Sequence, residues 1–253
     1  MLAEVSPALT VLLVIAVLIY GFSKTAMPVA GMVGSPIVAA VLGPAPAAGF
    51  MVPLLIVGDL IAMASYRQHA DWRLIRRLIP GVLGGFVLTA LVFWLLPGAA
   101  LNRVLGLLLL TTAGLEAWRI RGQPGASGSA SQSPMSRWGA AFFGTLTGLT
   151  TMAANAGGAA MTLYLVKMRV PILTFLGTST WFFAILNVLK VPPLIALGLL
   201  TGTSVLTSAW FIPAMVGGAL FGRWAVPRLN EQTFTWVGLG LTVLGAVWLI
   251  AAA

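Results

Sequence analysis

The chain has 253 residues, of which 59% are hydrophobic and 8% are charged, and its formal net charge is +9. About a quarter of the residues of a typical soluble domain are charged, so this composition excludes an ordinary soluble protein. The basic residues stand singly or in short clusters between apolar segments, which is typical of membrane topology signals and excludes a basic face for nucleic acid.

Ten hydrophobic segments predict an all-α membrane protein, a polytopic helical bundle with about eight to ten membrane segments. The N-terminal segment lacks the basic start and the small-residue cleavage site of a signal peptide, so we expect it to be retained as the first span. The segments lie at about 6–23, 26–43, 46–65, 78–97, 100–118, 138–152, 154–166, 170–190, 192–227 and 233–252, and 192–227 can also be counted as 192–211 and 213–227.

Two of these segments, 26–43 and 154–166, are short or interrupted by glycine and proline. The first begins within "GFSKTAMPVAGMVGSP" (21–36), which holds three glycines, two prolines and a lysine, and the second begins within "TTMAANAGGAAMT" (150–162). A helix that breaks inside lipid frees backbone amides, so a break is expected only where protein or a hydrated cavity satisfies them. Both segments are therefore predicted to be broken or re-entrant helices.

A Gly- and Ser-rich stretch near the midpoint, "RIRGQPGASGSASQSPMSR", predicts a flexible joint. Short similarities recur on its two sides: "IPGVLGG" resembles "IPAMVGG", and Asp59 and Asn187 occupy matching places. We interpret the chain as two transmembrane repeats of inverted topology, 1–120 and 138–253, joined by a flexible cytoplasmic linker at 121–137.

The positive-inside rule favours the inverted arrangement. If the arginine-rich loop "YRQHADWRLIRR" is cytoplasmic, nearly all other basic residues fall on the same side, and only Arg103 and Lys190 lie outside. The matching region of the second half, "VPPLIALGLLTGTSVLTSAW", is almost uncharged. Both termini are then expected to be external.

The two interrupted segments predict the binding site. The N-terminus of a half-helix presents unpaired N–H groups and the positive end of the helix dipole, and both suit an anion. The candidate substrate-binding residues in and around these segments are Ser23, Lys24, Thr25, Gly31, Thr150, Thr151, Asn155, Gly157, Gly158, Thr178 and Asn187.

Structural roles fit several of these residues equally well. Lys24 has the position of an anchor that reaches the membrane interface. The glycines suit close helix packing. The hydroxyls of "GTSTW" (177–181) either line a cavity or bond back to their own helix. The sequence leaves these alternatives open.

Asp59 lies well inside the apolar segment "PLLIVGDLIAMASY". An acid in lipid is costly and suggests function, so Asp59 is the candidate for proton coupling, although a structural hydrogen-bonded group fits equally. The chain has no cysteine, and its one histidine, His69, lies in a polar stretch. We therefore expect no metal site, no cofactor and no enzymatic activity.

These residues resemble the TauE/SafE sulfite exporter family of bacterial membrane proteins. The resemblance rests on "GFSK" with a following proline, on "GPAPAAGFMVPLLIVGDLIAMASYRQHADWRLIRRLIPGVLGG", and on "GTLTGLTTMAANAGG" and "GTSTWFFAILN" in the second half, and it extends from about Ala8 to Ile250. It implies a multi-pass secondary transporter of the bacterial cytoplasmic membrane for a small anion such as sulfite, an organosulfonate or a carboxylate.

One position departs from the family pattern. In similar proteins the lysine is usually followed by glycines, whereas Thr25 and Ala26 follow it here. Losing glycine restricts the close approach of the backbone to a ligand, so the identity of the anion stays open. A passive channel for anions or small solutes is the alternative function, and the sequence leaves both a monomer and a homodimer open.

Overall fold

The computed structural model describes residues 6–42, 44–95, 135–154, 157–196, 198–228 and 230–251, with isolated residues between 103 and 118. Within these ranges the chain forms ten α-helices and no β-strand. The helices are α1 (Pro7–Thr25), α2 (Gly31–Leu42), α3 (Pro44–Tyr66), α4 (Trp72–Leu95), α5 (Arg137–Ala154), α6 (Gly157–Lys167), α7 (Ile172–Ala196), α8 (Gly202–Ala209), α9 (Ile212–Ala225) and α10 (Glu231–Ala251).

The architecture is that of an all-α membrane protein. Among the described residues, three helices are long and apolar enough to cross a bilayer, at Pro7–Thr25, Pro46–His69 and Ile172–Ala196. A bent pair formed by α8 and α9 can serve as a fourth span. The predicted number of eight to ten segments and the predicted repeats stay predictions.

The helical structure is interrupted between α1 and α2, inside the first interrupted segment. α1 begins where Ser6 accepts a hydrogen bond from the Leu9 amide (3.4 Å) with Pro7 in the first turn, a usual helix start. It ends at Thr25, and a 3₁₀ turn at Pro28–Ala30 leads into α2. Proline has no N–H group with which to continue an α-helix, which explains the position of the break.

The polar stretch after α3 is more helical than its sequence suggests. A short 3₁₀ turn, Arg67–His69, leads to α4, which already begins at Trp72. The exposed side of the first turns of α4 carries Arg73, Arg76 and Arg77, and the buried side carries Leu74, Ile75 and Leu78. The expectation of an arginine-rich loop is therefore wrong for these arginines, since they alternate with apolar residues at the period of an amphipathic helix.

α7 runs through the segment boundary predicted near residue 191. It ends at Ala196, and Gly198 then takes a positive φ of 67°. The Leu199 amide donates to the Leu194 carbonyl oxygen (2.9 Å), the bond that characterises a Schellman cap. The predicted boundary is wrong because the helix continues to the glycine that can adopt the left-handed conformation.

α8 and α9 are separate helices bent by 55° at their junction. At the start of α8, the Thr201 hydroxyl accepts from the Ser204 amide (3.2 Å), and the Ser204 hydroxyl accepts from the Thr201 amide (2.9 Å). This reciprocal capping box fixes the beginning of α8. Of the two ways of counting segment 192–227, the structure favours a division into two helices.

The described helices group into two compact units. The first unit comprises Met1–Asp71 and Leu173–Leu229, and the second comprises Trp72–Ile172 and Asn230–Ala253. Each unit combines residues from both sides of the predicted linker, most of which lies outside the described residues. The repeat boundaries stay a prediction.

In the first unit, α1 and α9 pack with their backbones in contact at glycines. A Cβ atom at Gly21 would clash with the Met215 carbonyl oxygen, and one at Gly218 would clash with the Leu18 carbonyl oxygen. Small residues at such crossings allow the van der Waals contact that drives helix association in lipid. The buried apolar side chains beside this crossing include Leu13, Val17, Phe50, Leu54 and Met215.

In the second unit, α4 and α5 cross in the same way. A Cβ atom at Gly85 would lie 2.5 Å from the Thr145 carbonyl oxygen, and one at Gly148 would lie 2.5 Å from the Val82 carbonyl oxygen. Among the residues that the structure describes, no atom lies within 4 Å of the Cβ position at Gly84. Of the two adjacent glycines of α4, Gly85 therefore serves the helix contact.

Candidate functional site

Lys24 and Asp59 form a buried ion pair in the first unit. Lys24 stands in the last turn of α1, just before the break, and Asp59 stands on α3. The lysine Nζ lies 2.6 Å from the carboxylate Oδ1, and the two side chains are 9% and 4% exposed. Pairing and hydrogen bonding reduce the cost of placing a charge inside an apolar bundle. This pairing explains how α3 tolerates an acid within its apolar sequence.

Asn187 on α7 binds the other carboxylate oxygen. Its Nδ2 donates to Asp59 Oδ2 across 2.6 Å, and the bond is buried. Each oxygen of Asp59 therefore has a donor, one from α1 and one from α7. The sequence placed Asp59 and Asn187 at matching positions of the two halves, and the structure brings these two side chains into contact.

Gly58 and Phe183 shape the space around Lys24. A Cβ atom at Gly58 would lie 2.9 Å from Lys24 Cγ and 3.0 Å from Met215 Sδ. The Lys24 Nζ lies 5.7 Å from the centroid of the Phe183 ring, within the range of a cation–π contact. Sequence reasoning missed both residues, and the signal for Gly58 was its place directly before the acid.

Lys190 is a second buried lysine near this pair. It follows Asn187 by three residues on α7 and is 6% exposed. Lys190 interacts electrostatically with both Lys24 and Asp59. In the sequence Lys190 serves only as a topology signal. The signal for its place here is the i, i+3 spacing from Asn187, which puts both residues on one helix face. We call Lys24, Asp59, Asn187 and Lys190 the polar cluster.

The other predicted residues at the first break have partners within the protein. The Ser23 hydroxyl donates to the Tyr20 carbonyl oxygen (2.7 Å), and the Thr25 hydroxyl donates to the Ala219 carbonyl oxygen (2.6 Å). A Cβ atom at Gly31 would lie 3.2 Å from Ser23 Oγ. These residues lie next to Lys24 in the fold, and their roles in binding a substrate stay predictions.

The threonine that departs from the family pattern is matched by a glycine on the facing helix. A Cβ atom at Gly222 of α9 would clash with Thr25 Oγ1. Thr25 stands where a glycine is expected, and the absence of a side chain at Gly222 leaves room for the Thr25 side chain. The close approach of α1 and α9 is thereby kept with the larger side chain on α1.

The "GTSTW" motif holds the turn that follows α3. The Thr178 hydroxyl accepts a hydrogen bond from the Asp71 amide (3.0 Å), and the Trp181 indole donates to the Arg67 carbonyl oxygen (3.2 Å). This Thr178 bond ties α7 to the turn, an arrangement that neither sequence interpretation anticipated. Its role in substrate binding stays a prediction.

The remaining predicted residues belong to the second unit. The Thr150 hydroxyl donates to a carbonyl one turn earlier in α5 (2.7 Å). A Cβ atom at Gly157 would clash with Thr151 Oγ1, and Gly158 is buried beside it. Asn155 lies outside the described residues. α5 ends before this position and α6 begins after it, and the binding roles of these residues stay predictions.

The polar cluster contains more basic than acidic side chains. It contains two ammonium groups, one carboxylate and one carboxamide, so its formal charge with all groups ionised is +1. A divalent cation prefers several oxygen ligands, and no group of three or more Asp, Glu, His or Cys side chains occurs in the part of the chain that the structure describes. Ammonium and amide donors suit an oxyanion better.

Comparison with known proteins identifies one family. The family model described as Sulfite exporter TauE/SafE matches residues 12–249, nearly the whole chain. No curated protein and no solved structure gives a significant match.

Proposed function

Because the chain belongs to the sulfite exporter TauE/SafE family, we propose that it is a secondary transporter that moves a small anion across the bacterial cytoplasmic membrane. The candidate substrates are sulfite, organosulfonates and related sulfur-containing or carboxylate anions. The transporter is a multi-pass protein in which two inverted repeats place the anion near the middle of the bilayer.

The observation that carries this proposal is the Lys24–Asp59 ion pair. It lies beside the helix break that the sequence singled out, with its side chains 9% and 4% exposed. Intramembrane ion pairs are rare, and they commonly mark the paths of substrates and ions. A lysine at this place can bind an anion directly.

Asp59 occupies the position of an anion in this conformation. Its carboxylate accepts from Lys24 and from Asn187, as an oxyanion substrate would. A substrate that enters the cluster competes with Asp59 for the Lys24 ammonium group. Asp59 then loses its partner, and an unpaired carboxylate in this apolar setting is costly. Uptake of a proton by Asp59 removes that cost, which couples anion binding to proton binding.

The burial of the Lys24–Asp59 ion pair favours a carrier over a channel. A channel needs a continuous hydrated path, whereas the ion pair here is shielded from the surroundings. Alternating access, in which a buried site opens to one side at a time, is the mechanism that such a site requires.

A binding screen on the purified protein tests the substrate class. Sulfite, thiosulfate, methanesulfonate and short carboxylates are added to the wild-type protein and to Lys24→Met, and thermal unfolding is followed. A ligand that binds the folded state raises the unfolding temperature in proportion to its saturation. We expect at least one of these anions to stabilise the wild-type protein and not Lys24→Met. If none stabilises the wild-type protein, the proposed substrate class is wrong.

A further inference from the structure

We propose that Ser179 and Thr180, which we call the hydroxyl pair, form a second binding site for the transported oxyanion, about two helical turns along α7 from Asn187. The inference rests on the proposed function, because it names two further ligands that the same substrate meets on its way through the protein.

The hydroxyl groups of the pair are buried and unsatisfied. Ser179 and Thr180 are each 3% exposed. Neither side-chain oxygen has a hydrogen-bond partner in the part of the chain that the structure describes. A buried hydroxyl that forms no hydrogen bond costs free energy. The two oxygen atoms therefore indicate a partner that comes from outside the chain, as a hydrated substrate does.

Other buried hydroxyls on the helices are satisfied by their own helix. Thr147 donates to the carbonyl oxygen four residues earlier (2.7 Å), and Ser208 donates to the carbonyl oxygen three residues earlier (2.8 Å). A bond to the preceding turn is the usual local partner of serine and threonine within a helix. Ser179 and Thr180 lack this bond, which distinguishes them from hydroxyls with a structural role.

The neighbouring residues of the "GTSTW" motif fix the rotation of α7. Thr178 and Trp181 form hydrogen bonds with the backbone of the turn that follows α3. Successive residues of an α-helix are rotated by about 100° around its axis, so Ser179 and Thr180 lie on the sides of α7 that are turned away from these two bonds. The motif thus divides its hydroxyls between one that holds the turn and two that do not.

Thr180 shares a helix face with the residues that reach the polar cluster. Phe183 and Asn187 follow it at i+3 and i+7, the spacing of one face. Asn187 donates to Asp59 (2.6 Å), and the Lys24 Nζ lies 5.7 Å from the centroid of the Phe183 ring. An anion that leaves Lys24 along this face passes Phe183 and then meets Thr180, about 10 Å from Asn187 along the helix axis.

Neutral hydroxyls suit a site that the anion passes through. They donate hydrogen bonds to the oxygen atoms of the anion and add no charge, so they bind it less tightly than an ammonium group does. Without them, an anion that leaves Lys24 would face an apolar helix surface, where an unpaired charge is costly. The hydroxyl pair therefore lowers the barrier between the polar cluster and the end of α7 that contacts the turn after α3.

Conservative substitutions separate this role from a structural one. Thr180→Val and Ser179→Ala remove the hydroxyls, whereas Thr180→Ser keeps one. Thr147→Val and Ser208→Ala are the matched controls, because their hydroxyls bond within their own helices. For each full-length variant, calorimetry gives the dissociation constants of sulfite and methanesulfonate, thermal unfolding gives the stability, and proteoliposomes give the maximal flux.

We expect Thr180→Val and Ser179→Ala each to reduce the maximal flux by about tenfold, the effect of losing one hydrogen bond to a charged group at the barrier. Their tight dissociation constant stays at the wild-type value, because Lys24 is unchanged. Their unfolding temperature does not fall, because the lost hydroxyls have no partner in the folded protein. Thr180→Ser keeps the wild-type flux. The two controls show the opposite pattern, with lower unfolding temperatures and unchanged flux.

Cysteine reactivity tests the site without reference to any transported anion. The chain has no cysteine, so Thr180→Cys and Ser179→Cys each introduce a unique thiol. Membranes are treated with the anionic thiol reagent 2-sulfonatoethyl methanethiosulfonate, with Ser208→Cys as the buried control. We expect the reagent to modify both thiols of the hydroxyl pair and to leave the control unmodified. Reactivity no greater than that of the control would overturn the inference.

The outcomes separate this inference from the proposed function. If the wild-type protein neither binds nor transports these anions, the proposed substrate class is wrong and cysteine reactivity alone decides the inference. If the wild-type protein transports and Thr180→Val has the same maximal flux, the hydroxyl pair is not a binding site and the proposed function stands. A weaker tight dissociation constant in Thr180→Val would place Thr180 in the same site as Lys24, and a lower unfolding temperature would give it a structural role. Either result overturns the second site.

Discussion

Asn187 donates a hydrogen bond to Asp59 across 2.6 Å, although 128 residues separate the two in the chain. Lys24 donates to the second oxygen of the same carboxylate. One carboxylate thus joins α1, α3 and α7 within the first unit. Removing a hydrogen-bond donor from a buried carboxylate destabilises the folded protein. Each of these three side chains is therefore expected to affect both stability and transport.

Asp59→Asn is expected to abolish the pH dependence of anion flux while the protein stays folded in the membrane. The substitution keeps the size of the side chain and removes the group that takes up the proton. Flux in proteoliposomes is measured across a series of external pH values, with Asp71→Asn as the control for loss of a carboxylate elsewhere. A pH profile that matches the wild-type profile would exclude Asp59 from proton coupling.

Lys24→Met is expected to destabilise the protein as well as to weaken anion binding. It leaves a buried carboxylate without its ion-pair partner, a change that lowers the free energy of unfolding by up to about 3–5 kcal/mol. Adding Asp59→Asn in the same chain removes the unpaired charge and is expected to restore most of the stability but not the binding.

Chemical unfolding in detergent measures these changes, and Lys167→Met controls for the loss of a lysine. Equal stability of Lys24→Met and the wild-type protein would show that the ion pair contributes little to the fold.

Gly58→Val is expected to reduce transport by displacing Lys24. The Cβ atom of the new side chain would lie 2.9 Å from Lys24 Cγ and 3.0 Å from Met215 Sδ, so we expect the Lys24 side chain to shift relative to Asp59. Gly84→Val is the matched control, because no atom in the described part of the chain lies within 4 Å of the Cβ position at Gly84. We expect anion affinity to fall in Gly58→Val alone, and equal affinities in the two variants would contradict this account of Gly58.

Gly85→Ala is expected to lower stability by about 1–3 kcal/mol, the usual effect of overpacking a close contact. Its methyl group would lie 2.5 Å from the Thr145 carbonyl oxygen and would push α4 from α5. Gly84→Ala, one residue earlier, places its methyl group more than 4 Å from any atom of the described residues and is expected to be neutral or slightly stabilising. The difference between the two unfolding free energies is the readout, and no difference would mean that the crossing of α4 and α5 does not depend on this glycine.

Residue type and spacing in the sequence located much of the candidate site. The glycines and prolines of "GFSKTAMPVAGMVGSP" predict an interrupted helix, and the polar residues Asp59 and Asn187 stand out in apolar segments. The sequence does not reveal how far a lysine at a segment end is buried, so from the sequence alone Lys190 indicates only topology. The burial of Lys190 depends on where α7 ends, and α7 continues to Ala196, just before Gly198 with its positive φ.

Glycines were also ambiguous in the sequence. Adjacent glycines such as Gly84 and Gly85 look alike, and only the rotation of α4 against α5 decides which of them touches the neighbouring backbone. The same holds for Gly58 and Gly222, whose space is used by Lys24 and Thr25. Pairing across helices is a tertiary property that a single helical segment does not encode.

Counterflow in proteoliposomes tests the central claim most directly. Vesicles that contain the wild-type protein or Lys24→Met are loaded with unlabelled sulfite, and entry of labelled sulfite from outside is followed. We predict saturable, transient accumulation of label in the wild-type vesicles and none with Lys24→Met. Label that merely equilibrates without saturation would indicate a channel, and equal accumulation in both proteins would contradict a transport site built on the buried ammonium group of Lys24.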